Sequence, residues 1–414
     1  MKNTIFANES LARVKLVAFK CVVFFVTLAS VMSNSRAEPS NSGGWNLEEL
    51  RRVPKTFSTE KYTECQVPGV KALLYESVPF RGKPTKVFAY YSAPSGPVPP
   101  GGWPAVVLVH GGKGTAYPDF VKVWNSWGYA AISMDRYGKL PPVKDGAMIS
   151  KELKDRQNVD DGWTEDESST HRDETWHYHS VAQILLAHSL IRSFPEVNPE
   201  KIGVVGASWG GVHASIAAAV DGRFKFAAIV YSAVFEKVET KMEWWDPGKF
   251  LSSIRIPTLW VKGTTDANFP SRNWQHAVNL CGGGPVSSLV VGLGHADNGQ
   301  IYPINRRFAD SIIKGGTPLP KVGKIEQSGK LVSASVASVD PIVHAELCYT
   351  CDVGSDPKQV WKTLPASMSD GHVSAELPAG TTYFFINVFD APAVAGQQAW
   401  PSSSEYLPAQ SGKN

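Results

Sequence analysis

The chain has 414 residues, too many for one small domain, and its 43% hydrophobic and 19% charged residues are those of an ordinary globular protein. Lys and Arg number 41 against 38 Asp and Glu. Five of the bases (Lys2, Arg13, Lys15, Lys20, Arg36) and one acid (Glu9) fall in the first 37 residues, so the remainder is close to neutral, which excludes an electrostatic nucleic-acid binder.

At the N-terminus, Arg13 and Lys15 precede an apolar stretch from Leu16 to Met32 that only Lys20 breaks with a charge. Ser35-Arg36-Ala37 then offers small residues at the two positions that signal peptidase reads. A signal peptide over residues 1–37 and a secreted or periplasmic mature protein are expected. The alternative is an uncleaved anchor. No later segment is long enough to span a bilayer, so no stable membrane insertion is expected after cleavage.

Residues 38–60 are a polar lead-in. "VKALLYESVPF" and "TKVFAYYSAP" read as two strands joined by the hairpin signal "RGKP". "AVVLVHGG", "YAAISMD", "KIGVVGAS", "FAAIVYSA", "PTLWVKGT" and "SSLVVGLG" are apolar on both faces, as parallel strands covered on both sides must be. Helical stretches alternate with them. "ETWHYHSVAQILLAHSLIRSF" carries Val181, Ile184, Leu185, His188 and Ile191 on one face, and "WGGVHASIAAAV", "SRNWQHAVNL" and "INRRFADSIIKG" follow their strands. A mostly parallel sheet with helices on both faces is predicted. "GTPLPKVG" reads as a linker near 318. Beyond it, short strand-like runs separated by turn residues predict a small C-terminal antiparallel β-sandwich. The division is therefore 38–318 for the α/β domain and 319–414 for the sandwich.

Cys65, Cys281, Cys348 and Cys351 remain after the signal, an even number that permits disulfides. Cys348 and Cys351 have redox-motif spacing, but they follow the strand-like "IVHAEL" outside any thioredoxin-like βαβ unit. A small structural disulfide and two idle thiols are the two readings. Zinc would want further ligands at close spacing, and neither metal nor cofactor is expected.

The chemistry centres on Gly206-Ala207-Ser208-Trp209-Gly210, a G-x-S-x-G element between a strand and a helix. A nucleophile there sits on so tight a turn that side chains two residues to either side would collide, hence the glycines. A serine needs a base, and the base needs an orienting acid. In this architecture they follow as acid and then histidine, each past a later strand. His295 in "GLGHAD" directly follows a strand; His276 lies in a predicted helix, and His344 and His372 belong to the β-rich tail. Asp266 ends "PTLWVKGTTD" and is the expected acid, whereas Asp297 lies on the histidine's own loop. "HGGKG" after an early strand supplies an oxyanion loop through the amides of Gly112 and Lys113, with the Trp209 amide as second donor.

From about residue 70 to 316 the chain resembles the α/β-hydrolase superfamily. "PAVVLVHGG", "NPEKIGVVGASWGG", "IPTLWVKGTTDANFP" and "GLGHAD" are similar to the dienelactone hydrolase and acetyl xylan esterase-like branch, which borders the prolyl oligopeptidases. The resemblance implies an eight-stranded sheet and hydrolysis of an ester, less often a peptide. Dienelactone hydrolases proper carry a cysteine nucleophile; Ser208 here favours ordinary esters over lactones. Together with secretion, the resemblance implies short acyl esters, acetyl groups on polysaccharide among them. The rival readings are a serine peptidase using the same residues, and a non-catalytic glycan-binding protein on a hydrolase scaffold.

Residues 138–175 form a polar insertion on the active-site side, readable as a cap or as a solvated loop. His171, Asp173, Glu174, His177 and His179 invite a metal reading, but Thr170 with Asp173 reads as a helix start. Trp244 and Trp245 could stack on a sugar or simply pack.

Overall fold

The computed structural model describes residues 43–144, 147–148, 151–154, 171–235, 244–354, 356–391 and 398–410. The expected signal peptide over 1–37 lies outside them. Among the described residues no helix is long and apolar enough to cross a membrane.

Nine strands form the main sheet: β1 (Thr56–Phe57), β2 (Lys71–Phe80), β3 (Lys83–Ser92), β4 (Trp103–Val109), β5 (Ala130–Met134), β6 (Val197–Ala207), β7 (Ala227–Val230), β8 (Thr258–Gly263) and β9 (Val286–Val290). Their order is β1-β2-β3-β5-β4-β6-β7-β8-β9. The sheet is antiparallel from β1 to β5 and parallel from β5 to β9. It exceeds the expected eight strands by the two-residue edge strand β1. The β2–β3 hairpin turns at Arg81 and Gly82, with φ of 49° and 74°. Two successive positive φ values match the right-handed twist of the strands they join.

The strands from β4 onward bury both faces. Val107 and Val109 of β4 and Val204 of β6 join one core, while Val106, Leu108 and Val205 join the core on the opposite face. That is the period of two expected of a pleated strand. Helices α1 (Leu47–Leu50), α3 (Trp176–Arg192), α4 (Trp209–Val220) and α5 (Ser271–Leu280) supply the first core, and α2 (Pro118–Ser126) and α6 (Pro303–Ile313) the second. A fully apolar strand run is stable only between two such layers.

The structure differs from expectation at α3. Thr175 caps the helix, its hydroxyl accepting the N–H of Tyr178 at 3.3 Å, and Thr170 lies outside the described residues. The helix is also buried around most of its circumference, well beyond the single face that periodicity outlined.

After Leu319 the strands become antiparallel and form two five-stranded sheets. Val332, Val373, Leu347, Phe384, Ile386 and Val388 make the core between them. On strand Tyr383–Phe389, Phe385 alternates with Phe384 and Ile386 and joins the α/β core instead. Ser403 and Asn387 hydrogen-bond the main chain of Leu289 on β9, at 2.7 and 3.3 Å. The main sheet and the C-terminal strands belong to one compact unit. Among the described residues Cys65, Cys281, Cys348 and Cys351 are free thiols, Cys351 exposed and the other three buried.

Candidate active site

The strand-to-helix turn at Ser208 explains its glycines. A Cβ on Gly206 would lie 2.2 Å from the Gly210 carbonyl oxygen, and one on Gly210 would lie 2.1 Å from the Val109 carbonyl oxygen. Neither position can carry a side chain without opening the turn. Ser208 itself has φ 57° and ψ −128°, a conformation that costs a non-glycine residue on the order of 1–3 kcal/mol. Three hydrogen bonds hold it there: its N–H donates to Val230 O at 2.8 Å, and its carbonyl accepts the Gly211 and Val212 N–H groups at 2.8 and 3.1 Å.

The β4–β6 register pairs Gly206 with Val109 and so sets the "HGGKG" loop beside the serine. A Cβ on Gly111 would sit 3.1 Å from Ser208 Cβ, and one on Gly112 would sit 3.1 Å from Trp209 Cδ1. Trp209 is the first residue of α4.

Lys113 departs from expectation. Its φ is 60°, and its amide donates to the Tyr137 hydroxyl at 3.2 Å. In this geometry the Lys113 N–H is committed to the tyrosine.

Beneath this loop lies a buried polar group that sequence reasoning did not assign. Arg136 is without solvent exposure. Its Nη2 donates to His110 O and, at 3.3 Å, to Gly111 O, and its Nη1 meets His213 Nδ1. The Arg136 N–H donates to His110 Nε2 at 3.0 Å, which assigns the proton to His110 Nδ1, 2.7 Å from Gly111 O. Burial, then the arginine charge, push His110 and His213 well below the ordinary histidine range and His177 down to about 3. The ring cluster is therefore neutral, and the guanidinium, drawn down by burial to about 10, is the charge that grips the loop carbonyls.

Lining the same cavity as Ser208, His295 donates from Nδ1 to Asp266 Oδ1 at 2.9 Å. Asp266 has no solvent exposure, and the His295 side chain is 19% exposed. Burial raises the Asp266 carboxyl. The His295 hydrogen bond, Lys262 and the Asn268 amide outweigh that and hold it below its ordinary value. With Nδ1–H fixed on the carboxylate, Nε2 is left as an acceptor. Asp297 opens the 3-10 turn after the histidine and makes no such contact.

Ser208, Trp209, Gly112, Lys113 and His295 line one cavity of about 670 Å³, with Tyr117, Phe235, Asn268, Phe269 and Asn273 around it. Trp245 is corrected here. It is fully buried, stacked on His177 at 5.6 Å and under the Arg172 guanidinium at 4.7 Å, so it packs and does not meet solvent. Trp244 is half-buried and packs on the same core, away from the cavity lining. Phe235 and Phe269 take the aromatic place expected of the tryptophan pair; a single Phe in an irregular stretch has no sequence signature. His177 hydrogen-bonds His213 at 2.7 Å, and among the described residues no three His, Cys, Asp or Glu side chains are arranged to hold a metal. Of the polar insertion, residues 145–146, 149–150 and 155–170 lie outside the described residues.

The family model for acetyl xylan esterase (AXE1) matches residues 35–240, a span that includes the serine turn. Over those residues the chain is acetyl xylan esterase-like, and its fold is that of the α/β hydrolases. It is a serine carboxylic ester hydrolase. Among solved structures, an acetyl xylan esterase from Paenibacillus sp. R4 is 19% identical with a TM-score of 0.51, covering 68% of this chain and 96% of that one. Acetyl xylan esterase 1 from Thermoanaerobacterium sp. JW/SL YS485 is 15% identical with a TM-score of 0.44, covering 63% and 89%. The first likeness carries the fold. No curated protein matches the sequence.

Proposed function

We propose that this exported enzyme removes acetyl groups from a polysaccharide such as acetylated xylan, with Ser208 as nucleophile, His295 as base and Asp266 as acid. The observation that carries this reading is the buried Asp266–His295 hydrogen bond at 2.9 Å, opening on the cavity that Ser208 lines. His295 Nε2 takes the serine proton as Oγ attacks the ester carbonyl. Asp266 holds the tautomer and then stabilises the imidazolium. The amides of Trp209 and Gly112 receive the oxyanion; one such donor is worth about 3–4 kcal/mol. His295 returns the proton to the departing sugar hydroxyl, and water repeats the cycle on the acetyl-enzyme. The family match and a cavity with room for a sugar beside the acyl group support the acetylated polymer. Export through residues 1–37 is part of the same reading.

The test is a series of acetyl to octanoyl 4-nitrophenyl esters and acetylated xylan, beside a matched amide. Wild-type enzyme is expected to prefer acetyl, release acetate from the polymer and spare the amide. Ser208→Ala is expected to fold normally and lose several orders of magnitude in kcat. A variant keeping a tenth of wild-type turnover, or an enzyme acting equally on the amide, would overturn the assignment.

A further inference from the structure

Asp266 has a second charged neighbour besides His295. Lys262 lies four residues earlier, near the end of β8, with no solvent exposure. Its Nζ stands 3.8 Å from Asp266 Oδ2 and 3.5 Å from Asp356 Oδ2, and it donates to Gly263 O at 3.0 Å. Asp356 comes from the C-terminal region, between strands His344–Thr350 and Lys362–Pro365, and its side chain is 4% exposed. Its Oδ2 accepts the N–H of Ser271 at 2.6 Å and the Ser271 hydroxyl at 2.5 Å, at the first residue of α5.

The charge count gives this arrangement a consequence. A buried ammonium needs a carboxylate. If Asp266 were its only partner, the pair would be neutral and little negative potential would remain for an imidazolium at His295. With Asp356 present, the three groups sum to −1. Proton transfer to His295 then brings the cluster to zero beside three side chains that are almost fully buried, where the balance is felt most. We infer that Asp356 and Lys262 are positioning residues for the acid: Asp356 takes up the Lys262 charge, so that Asp266 keeps its own for His295. The C-terminal sheets thereby contribute to the chemistry through a residue that touches no substrate. The inference rests on the reading of Asp266 and His295 as acid and base.

The other titratable groups near this pair are Asp297 on the histidine loop, and Lys113 and Tyr117 across the cavity. Tyr231 packs on His295 at 4.8 Å and hydrogen-bonds Tyr302. Tyr406 lies within reach of the charges of both Asp356 and Arg272. Burial lowers the Lys262 ammonium from its ordinary value, against the pull of Asp266 and then Asp356.

The experiment is the pH profile of kcat/KM on 4-nitrophenyl acetate for the full chain and three variants, with folding checked by circular dichroism. Asp356→Asn keeps an acceptor for Ser271 but drops the charge. Its acid limb is expected to move to lower pH by about half a pH unit or more, with kcat falling about tenfold while KM stays within about twofold. Lys262→Met is expected to move the limb the other way, and it supplies the test should Asp356→Asn not fold. Lys262→Met combined with Asp356→Asn restores the charge sum and is expected to return the limb to its wild-type position. A limb that coincides with wild type in both single variants, or a shift that persists in the double variant, overturns the inference. If instead Asp266→Asn keeps wild-type kcat, the assignment of the acid has failed and not this coupling.

Discussion

The carbonyl oxygen of Leu293 lies 1.8 Å from where a Cβ on Gly263 would be. The last residue of β8 thus serves as the seat for the loop that carries His295. The same loop is tied down by Gly292 N–H to Thr264 Oγ1 at 3.0 Å and by Thr265 Oγ1 to Gly292 O at 3.2 Å. Gly263→Ala is therefore expected to lift the loop and pull His295 off Asp266. A displacement of about 1 Å can cost on the order of a hundredfold in rate. The check is kcat on a soluble acetyl ester, with circular dichroism to establish that the sheet persists.

Asp266→Asn and Asp297→Asn separate the two acids close to His295. An amide at 266 can donate to Nδ1 and favour the wrong tautomer, which in a serine protease costs about 10⁴ in kcat. Asp297→Asn is expected to cost less than about tenfold. The reverse ranking in side-by-side kinetics would move the acid to the histidine's own loop.

Trp245→Ala is expected to act on stability and not on substrate affinity. Emptying a fully buried tryptophan site costs about 3–5 kcal/mol. Thermal unfolding should show that loss while KM for a small ester stays near wild type. A raised KM at unchanged melting temperature would return Trp245 to the substrate site.

His188 gives the stability a pH dependence. It is fully buried on α3, its ring edge-on to Phe224 at 4.6 Å, and burial drives it down to about 3. A histidine depressed in the folded state takes up its proton first in the unfolded chain. Its contribution is complete above about pH 6.5 and is lost as pH falls from there toward 3. At pH 5 that loss is about 2 kcal/mol. His188→Leu should recover most of it, flattening the stability curve between pH 5 and 7 in urea titrations. An unchanged slope would rule the group out.

Removal of residues 319–414 should expose the apolar surface that Phe385, Cys348 and Tyr406 cover, and lower solubility or melting temperature. Paired kinetics on a soluble ester and on insoluble acetylated polymer read the alternative. A loss confined to the polymer, at unchanged melting temperature, would make the region a polymer-binding module.

Much of this enzyme is written locally. Strands buried on both faces draw apolar residues on both, so β4 to β9 stand out as mostly apolar runs. A nucleophile turn must have glycine two residues either side of Ser208, because those positions face backbone oxygens at about 2 Å. The order of serine, acid and histidine then selects Asp266 and His295. What tertiary structure alone decided are the single polar residues that meet across long sequence separations. Arg136 reaches back to the carbonyls of His110 and Gly111; Tyr137 claims the amide of Lys113; Trp245 turns inward onto His177. Lys262 sits in a strand that otherwise reads as apolar, and Asp356 lies ninety residues beyond Asp266 in an irregular loop. Such residues have no period and no neighbouring motif. Their roles follow from which carbonyl or carboxylate the folded chain brings within 4 Å of a buried charge, and that is set only when the strands and loops have packed.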